Sequence, residues 1–161
     1  MPPFTALLHT ANDALRLGRA LETLHPCSEI LIIDHHSADA TLRVARKYGA
    51  RIMRADNGAD ASRFLEMARH DWIFCLRPTE SITEALQASL FEWSSLPAAA
   101  VAGAQAFSVS GREQIGEEWR DFPTPETRLV PRNWNFWSGR LPGLEPSAVE
   151  LEGALLRFAF P

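Results

Sequence analysis

The sequence predicts an α/β protein with a mostly parallel sheet flanked by helices. Two observations carry this. In the first 97 residues an apolar strand pattern alternates four times with a helical pattern, joined by short loops, and that rhythm argues for a parallel sheet covered on both faces. The second is Ile30-Leu31-Ile32-Ile33, an apolar run with no polar alternation. Such a run reads as a strand buried on both sides, which parallel sheets require.

The elements follow in order. Phe4 to Leu8 reads as the first strand, with Asn12 or Asp13 as the cap of a helix carrying Leu15, Leu17, Ala20, Leu21 and Leu24. Pro26 stops it. Glu29 to Asp34 is the second strand, with Ser37 or Asp39 capping a helix from about Asp39 to Tyr48 and Gly49 as its C′ residue. Arg51 to Arg54 is short and alternating, hence nearer an edge, and Asp56-Asn57-Gly58 is a turn. A third helix is expected over Ala59 to Arg69, with Phe64, Leu65 and Ala68 inward. Trp72 to Leu76 is another buried strand, and Thr83 caps a fourth helix ending near Ser95.

After Pro97 the rhythm changes. Val101 to Val109 suggests a strand interrupted by Gly103, Gly111 to Glu118 a loop or short helix, and Pro123 and Pro125 a loop. Arg128-Leu129-Val130 suggests a short strand, and Trp134 to Gly143 is aromatic and irregular. Val149 to Phe160 suggests a hairpin turning at Glu152-Gly153. Nothing resembling a flexible linker separates the halves, so residues 1–161 are expected to form one domain.

The totals exclude several classes. A chain of 161 residues with 46% hydrophobic content builds one ordinary core, and a net charge of −4 implies no broad attraction to nucleic acid or anionic lipid. Cys27 and Cys75 have no metal-site spacing and no disulfide framework around them, and Cys75 reads as a buried free thiol. No signal-peptide pattern is evident, and the Ala/Gly-rich run Leu96 to Phe107 falls short of the roughly 20 residues of a membrane span. A cytoplasmic protein without a transmembrane segment is expected. Serine-nucleophile, phosphate-loop and Gly-x-Gly-x-x-Gly signatures are absent.

The segment Ile32-Ile33-Asp34-x-x-Ser37-x-Asp39-x-Thr41 resembles the second-strand motif of family 2 glycosyltransferases, in particular the bacterial lipopolysaccharide-core and cell-surface enzymes. The resemblance covers the first half well and the second loosely. It implies a GT-A-like fold with strand order 3-2-1-4 in a nucleotide-binding half, residues 1–97, and a reduced acceptor half, residues 98–161. Its partners would be a nucleotide-diphosphate sugar and a glycan or lipid-linked acceptor of the cell envelope. Thr10, Asn12 and Asp34 match residues that surround the base and ribose in the family. His35 and His36 stand where many relatives have Asp, Ser or Gly; they either stack on a base or meet a phosphate, or are exposed turn residues.

The departures from the family pattern are chemical. An apolar strand ending in Asp-x-Asp-Glu holds a divalent cation in relatives. Here Trp72-Ile73-Phe74-Cys75-Leu76 is followed by Arg77-Pro78-Thr79-Glu80, with Arg77 and Thr79 at the aspartate positions. A guanidinium repels a metal ion, so no divalent-metal cofactor is expected. Two readings of Arg77 stand: it replaces the metal, since its planar fork suits phosphate oxygens, or it is a solvated charge on a decayed site. The second is favoured, because the acceptor side lacks the family's His-Glu pair as well; Trp137-Ser138-Gly139-Arg140-Leu141-Pro142 stands in that region. An inverting transferase needs a carboxylate base. Glu80, Glu113, Glu126 and Glu145 are the candidates, and nothing in the sequence selects one. Trp119, Trp134 and Trp137 read as core packing before sugar platforms. The readings are a transferase-like protein with a degenerate site, a metal-independent transferase using Arg77, and a non-catalytic nucleotide- or glycan-binding or interaction module.

Overall fold

The computed structural model describes residues 3–55, 61–97 and 105–161. The chain runs β1 (Phe4–Thr10), α1 (Ala14–Glu22), β2 (Glu29–Asp34), α2 (Thr41–Lys47), β3 (Arg51–Arg54), α3 (Ala61–Leu65), β4 (Trp72–Cys75), β5 (Glu80–Ile82), α4 (Glu84–Ser95), β6 (Phe107–Ile115), β7 (Glu118–Asp121), β8 (Glu126–Pro131), β9 (Trp137–Ser138), β10 (Leu141–Pro142) and β11 (Val149–Arg157).

Nine strands make one sheet in the order β3-β2-β1-β4-β8-β6-β11-β5, with β7 paired to β6. The four strands expected from the first half are adjacent and mutually parallel in the order 3-2-1-4. The parallel block ends at β4, whose other neighbour, β8, is antiparallel. Alternation along β1 explains why both faces are buried. Phe4, Ala6 and Leu8 join Ile32 and Phe74 against α1 and α4, while Leu7 joins Leu31, Ile33, Ile73 and Cys75 against Phe64, Leu65 and Ala68. Cys75 is the buried free thiol the sequence suggests. Trp93 of α4 meets Phe4, Trp72 and Phe107 edge-on at 5.6, 5.2 and 5.8 Å, clamping the helix to the sheet at its parallel–antiparallel seam.

The helix caps differ in detail from the sequence pattern. Thr83 caps α4 as expected, its hydroxyl accepting from Leu86 N at 3.3 Å. Gly49 follows α2 with φ +74°. Asp39 instead spans two helices: Oδ1 accepts from Thr41 N at 2.9 Å and Oδ2 from Ala14 N at 3.2 Å, the first residue of α1. The third helix is shorter than Ala59 to Arg69, because α3 ends at Leu65 and the chain continues in turns. Asp56-Asn57-Gly58 and Val101 to Gly103 lie outside the described residues.

The second half departs further. Gly111 to Glu118 is neither loop nor helix: β6 runs to Ile115 and turns at Gly116, φ +61°, into β7. Val149 to Phe160 is not a hairpin. It is one strand, parallel to β6, that carries a bulge where the register shifts between Leu151 and Ala154. Gly153 sits in that bulge at φ +105°, against the first turn of α4; a Cβ there would lie 2.2 Å from Leu86 N and 2.5 Å from its Cα. β5 was not legible, and it pairs antiparallel with β11 at the far end of the sheet.

These two glycines give a test. Gly153→Ala combines strain with a clash against helix backbone and is expected to cost at least about 2 kcal/mol. Gly49→Ala meets nothing within 4 Å and should cost only about 1 kcal/mol. Urea denaturation of both variants measures the difference, and equal costs would contradict the bulge geometry.

Candidate functional site

The carboxyl ends of β1 and β4 open into a cleft, where ligands bind in open α/β sheets, and the end of β2 lies beside that of β1. The turn after β1 forms part of its rim, and side chains tie that turn to the one after β2. Thr10 donates to Asp34 Oδ1 at 2.7 Å, Ser37 donates to the same oxygen at 2.6 Å, and Ser37 N donates to Oδ2 at 3.0 Å. Asn12, at φ +55°, donates from its backbone N to Ser37 Oγ at 2.9 Å and accepts from Ala38 N at 2.8 Å. Asn tolerates this left-handed conformation better than most residues. Burial works to raise the Asp34 pKa, but the Ser37 and Thr10 hydrogen bonds win and hold it below the usual carboxylate value. Thr10, Asn12 and Asp34 are thus brought together, with most of their polar capacity spent on the rim itself.

His35 follows Asp34 and is half-buried. Its Nε2 lies 2.8 Å from Nδ1 of His9, and the rings stack at 5.1 Å. Burial, then His35 and Arg140, push the His9 pKa down to about 3. Burial and Arg140 also lower that of His35, against an opposing pull from Asp34. His36 is exposed at φ +56°.

The cleft holds about 400 Å³ and is lined by His9 and Asp13 from one side, Arg77 and Thr79 from β4's end, and Ser138 and Arg140 from the β9–β10 ribbon. A second cavity of about 300 Å³ adjoins it, lined by Thr124 to Arg128 and by Pro142 and Leu144. Arg77, Ser138 and Leu141 line both. Arg77 is exposed. Its backbone N donates to Glu80 Oε1 at 2.9 Å, and its guanidinium has no partner among the described contacts.

Glu80 is fully buried. Arg128, also fully buried, grips it with both terminal nitrogens, at 2.7 Å to Oε1 and 2.8 Å to Oε2, and donates to Cys75 O at 3.0 Å. Arg157 Nε adds a bond to Oε2 at 3.0 Å. Both arginines also hold Glu126: Arg128 at 2.8 Å, Arg157 at 3.1 Å. Burial pulls both carboxyl pKa values up, but the two guanidinium groups pull harder and leave both lowered. Glu145 accepts from Ser147 N and Oγ, which lower its pKa, and Glu113 lies 3.7 Å from Arg157.

The residues therefore do not suit a divalent metal. Both Glu80 oxygens already accept two donors each, Thr79 offers one neutral oxygen, and Arg77 brings positive charge to the spot. Among the described residues no group of three or more His, Cys, Asp or Glu is arranged to hold a metal ion.

No family model and no curated protein matches the sequence. Solved structures do match in fold. S. aureus TarS residues 1–349 aligns with TM-score 0.59 and 15% identity over 81% of this chain and 47% of that one. Its complex with UDP-GlcNAc aligns at TM-score 0.59 and 16% identity over 76% and 37%. Glucosyl-3-phosphoglycerate synthase from Mycobacterium tuberculosis, solved with Mn²⁺, UDP and glucosyl-3-phosphoglycerate, aligns at TM-score 0.50 and 15% identity over 71% and 45%. The fold is GT-A-like, that of the nucleotide-sugar transferases. The chain spans less than half the length of these GT-A proteins, and at such identities the likeness is one of fold. No helix among the described residues is long and apolar enough to cross a membrane.

Sequence reading missed His9, Arg128, Arg140 and Arg157. Two carried a signal. His9 is a titratable residue at the polar end of an apolar strand, directly before Thr10. Arg128 interrupts the run Thr127 to Val130, and a charge inside a buried strand demands a buried partner. Trp134 and Trp137 are half-buried and pack against the second core cluster, and Trp119 meets Phe158 edge-on at 5.3 Å.

Removing one partner of a buried ion pair strands the other charge, so Arg128→Ala is expected to cost about 3–5 kcal/mol. The pH sign follows from the lowered carboxyl values. The stabilisation from Glu80 and Glu126 is complete above the unfolded carboxylate value of about 4.3 and is lost as pH falls below it towards the folded values. Denaturation midpoints of wild type should fall steeply below about pH 4.5, and those of Glu80→Gln less so, from a lower plateau. Parallel acid profiles would contradict the assignment.

Proposed function

We propose that this chain is a GT-A-like module that binds a nucleotide-diphosphate sugar, contacts its diphosphate with arginine instead of a metal ion, and lacks the groups for efficient sugar transfer. One observation carries the reading: an exposed Arg77, whose guanidinium has no ion-pair partner among the described residues, stands between two cavities just beyond the carboxyl end of β4. A planar guanidinium donates two parallel hydrogen bonds to phosphate oxygens. TarS and the phosphoglycerate synthase carry UDP-GlcNAc or UDP in their structures, which supports a nucleotide diphosphate as the ligand here. The second cavity then faces the region an acceptor, glycan or lipid-linked, would enter.

The weakness of catalysis follows from the carboxylates. A general base needs a pKa near the working pH and a free lone pair aimed at the acceptor. Glu80 is sealed, Glu126 is held by two arginines, and Glu145 is turned to Ser147. Asp13 lines the cleft but accepts from Ala11 N at 2.7 Å and pairs with Arg16 at 3.4 Å. Glu126 and Glu145 are shifted downward, the wrong direction for a base at neutral pH. A second reading, metal-independent transfer, is favoured by the same placing of Arg77 beside both cavities, since a cation there meets the charge that develops on a departing diphosphate.

Calorimetric titration with UDP and GDP tests both. Binding should be present without Mn²⁺ and should change less than about threefold when it is added. Arg77→Ala should weaken it by about 1.5–3 kcal/mol, at least tenfold. A tenfold gain with Mn²⁺, or an unchanged affinity in Arg77→Ala, overturns the binding mode. Sugar transfer by the purified chain that is lost in Arg77→Ala establishes the second reading over the first.

A further inference from the structure

The cleft is lined by one member of a histidine pair that the proposed function leaves unused. His9 Nδ1 and His35 Nε2 are 2.8 Å apart, with ring planes inclined by 29°. Two imidazole nitrogens this close share one proton: one ring donates and the other accepts. The neutral pair therefore keeps one donor and one acceptor on its two outer nitrogens, and one added proton makes both donors. His9 lines the cleft beside Arg77 and Arg140. Among the described residues, the charged and titratable groups acting on the pair are Arg140 from the β9–β10 turn, which disfavours protonation of both rings, Asp34, which favours it on His35, and His36. From α3, the ring of Phe64 packs edge-on against His9 at 5.8 Å.

We propose that His9, with Arg77 and Arg140, contacts the diphosphate of the bound nucleotide sugar, and that the hydrogen-bonded His9–His35 pair takes up one proton from solvent as the diphosphate enters. The inference rests on the reading that the cleft takes a nucleotide diphosphate. With the cleft empty, Arg140 and desolvation oppose a charged imidazole. An anion placed against His9, Arg77 and Arg140 offsets both: it attracts the added charge and accepts the new N–H donor. Protein and ligand bonds stay intact, and the proton comes from the buffer. The arrangement supplies from side chains the positive charge that a divalent ion would bring, and makes part of it conditional on the ligand.

The test uses UDP-GlcNAc, whose diphosphate is a diester and does not itself titrate near neutrality. Calorimetry of the full chain in buffers of different ionisation enthalpy counts protons directly. About 0.5–1 proton taken up per ligand is expected at pH near 7, and Kd should weaken by up to about tenfold per pH unit between about pH 6 and 8. His35→Gln, at a half-exposed position, should bind with the uptake near zero and a flat profile. His9→Gln should do the same provided its circular dichroism matches wild type. Binding with no proton uptake in the wild-type chain, or uptake that survives in His35→Gln, overturns the role of the pair alone. Absence of UDP-GlcNAc binding at every pH overturns this inference and the proposed function together.

Discussion

The structure depends on one buried ion pair, Glu80 with Arg128. Only four residues separate β4 from β5, so five steps of chain join Cys75 to Glu80, which spans at most about 18 Å fully extended. In the sheet, three strands lie between them, and four flat spacings would need about 19 Å. The connection is in fact a tight turn, with Glu80 N donating to Arg77 O at 2.9 Å, so the sheet must roll from β4 onward until its β5 end returns beside β4. The roll brings the start of β5, the middle of β8 and the end of β11 to one point, and Glu80, Arg128 and Arg157 occupy it. A buried pair contributes little against a hydrophobic alternative, yet it is costly to break and strict in geometry. Here it specifies how far the sheet rolls.

The same carboxylate decides the chemistry of the cleft. By resemblance, the end of β4 is where acidic residues hold a cation. In that resemblance Glu80 would be the one acidic member present, and its oxygens face inward to arginines and to the Arg77 backbone. The turn so fixed leaves the Arg77 side chain outside, between the cavities. A guanidinium differs from a metal ion in consequence as well as in charge: it orients phosphate oxygens through directed hydrogen bonds but offers no open coordination site and weaker polarisation. On the proposed reading, such a cleft would favour holding a diphosphate over driving its departure.

The parallel half was legible because its strands are buried on both faces, which writes them into the sequence as unbroken apolar runs such as Ile30 to Ile33. The antiparallel half was not, because its order is set by pairings distant in sequence. β5 has three residues, too few for any period. Glu152-Gly153 reads as a hairpin turn because a glycine at positive φ serves a turn and a bulge equally; the structure has the bulge, packed against Leu86 of α4, 67 residues earlier in the chain (153 − 86). The rim residues Thr10, Asn12 and Asp34 and the cleft residue Arg77 were visible as a motif and a departure from it. The His9–His35 pairing was not, because the two are 26 positions apart and the signal of a lone histidine at a strand end does not name its partner.

The aromatic segment between β8 and β11 shows how the remaining cation is placed. Trp137 donates from Nε1 to Trp134 O at 2.8 Å, and Trp134 donates to Phe136 O at 2.7 Å. Both rings lean on the core cluster that contains Phe64, Leu65 and Ala68. Gly143 passes so close to Phe136 that a Cβ would lie 2.6 Å from its ring. The β9–β10 ribbon is therefore anchored at its base by indole rings, and Gly139, at φ +66°, turns its tip. The tip carries Arg140 to the His9–His35 pair, and the ribbon's Ser138 and Leu141 form part of the wall between the cavities. The tryptophans thus act on the cleft without entering it: their packing sets the position of Arg140, which adds to burial in disfavouring a charged imidazole.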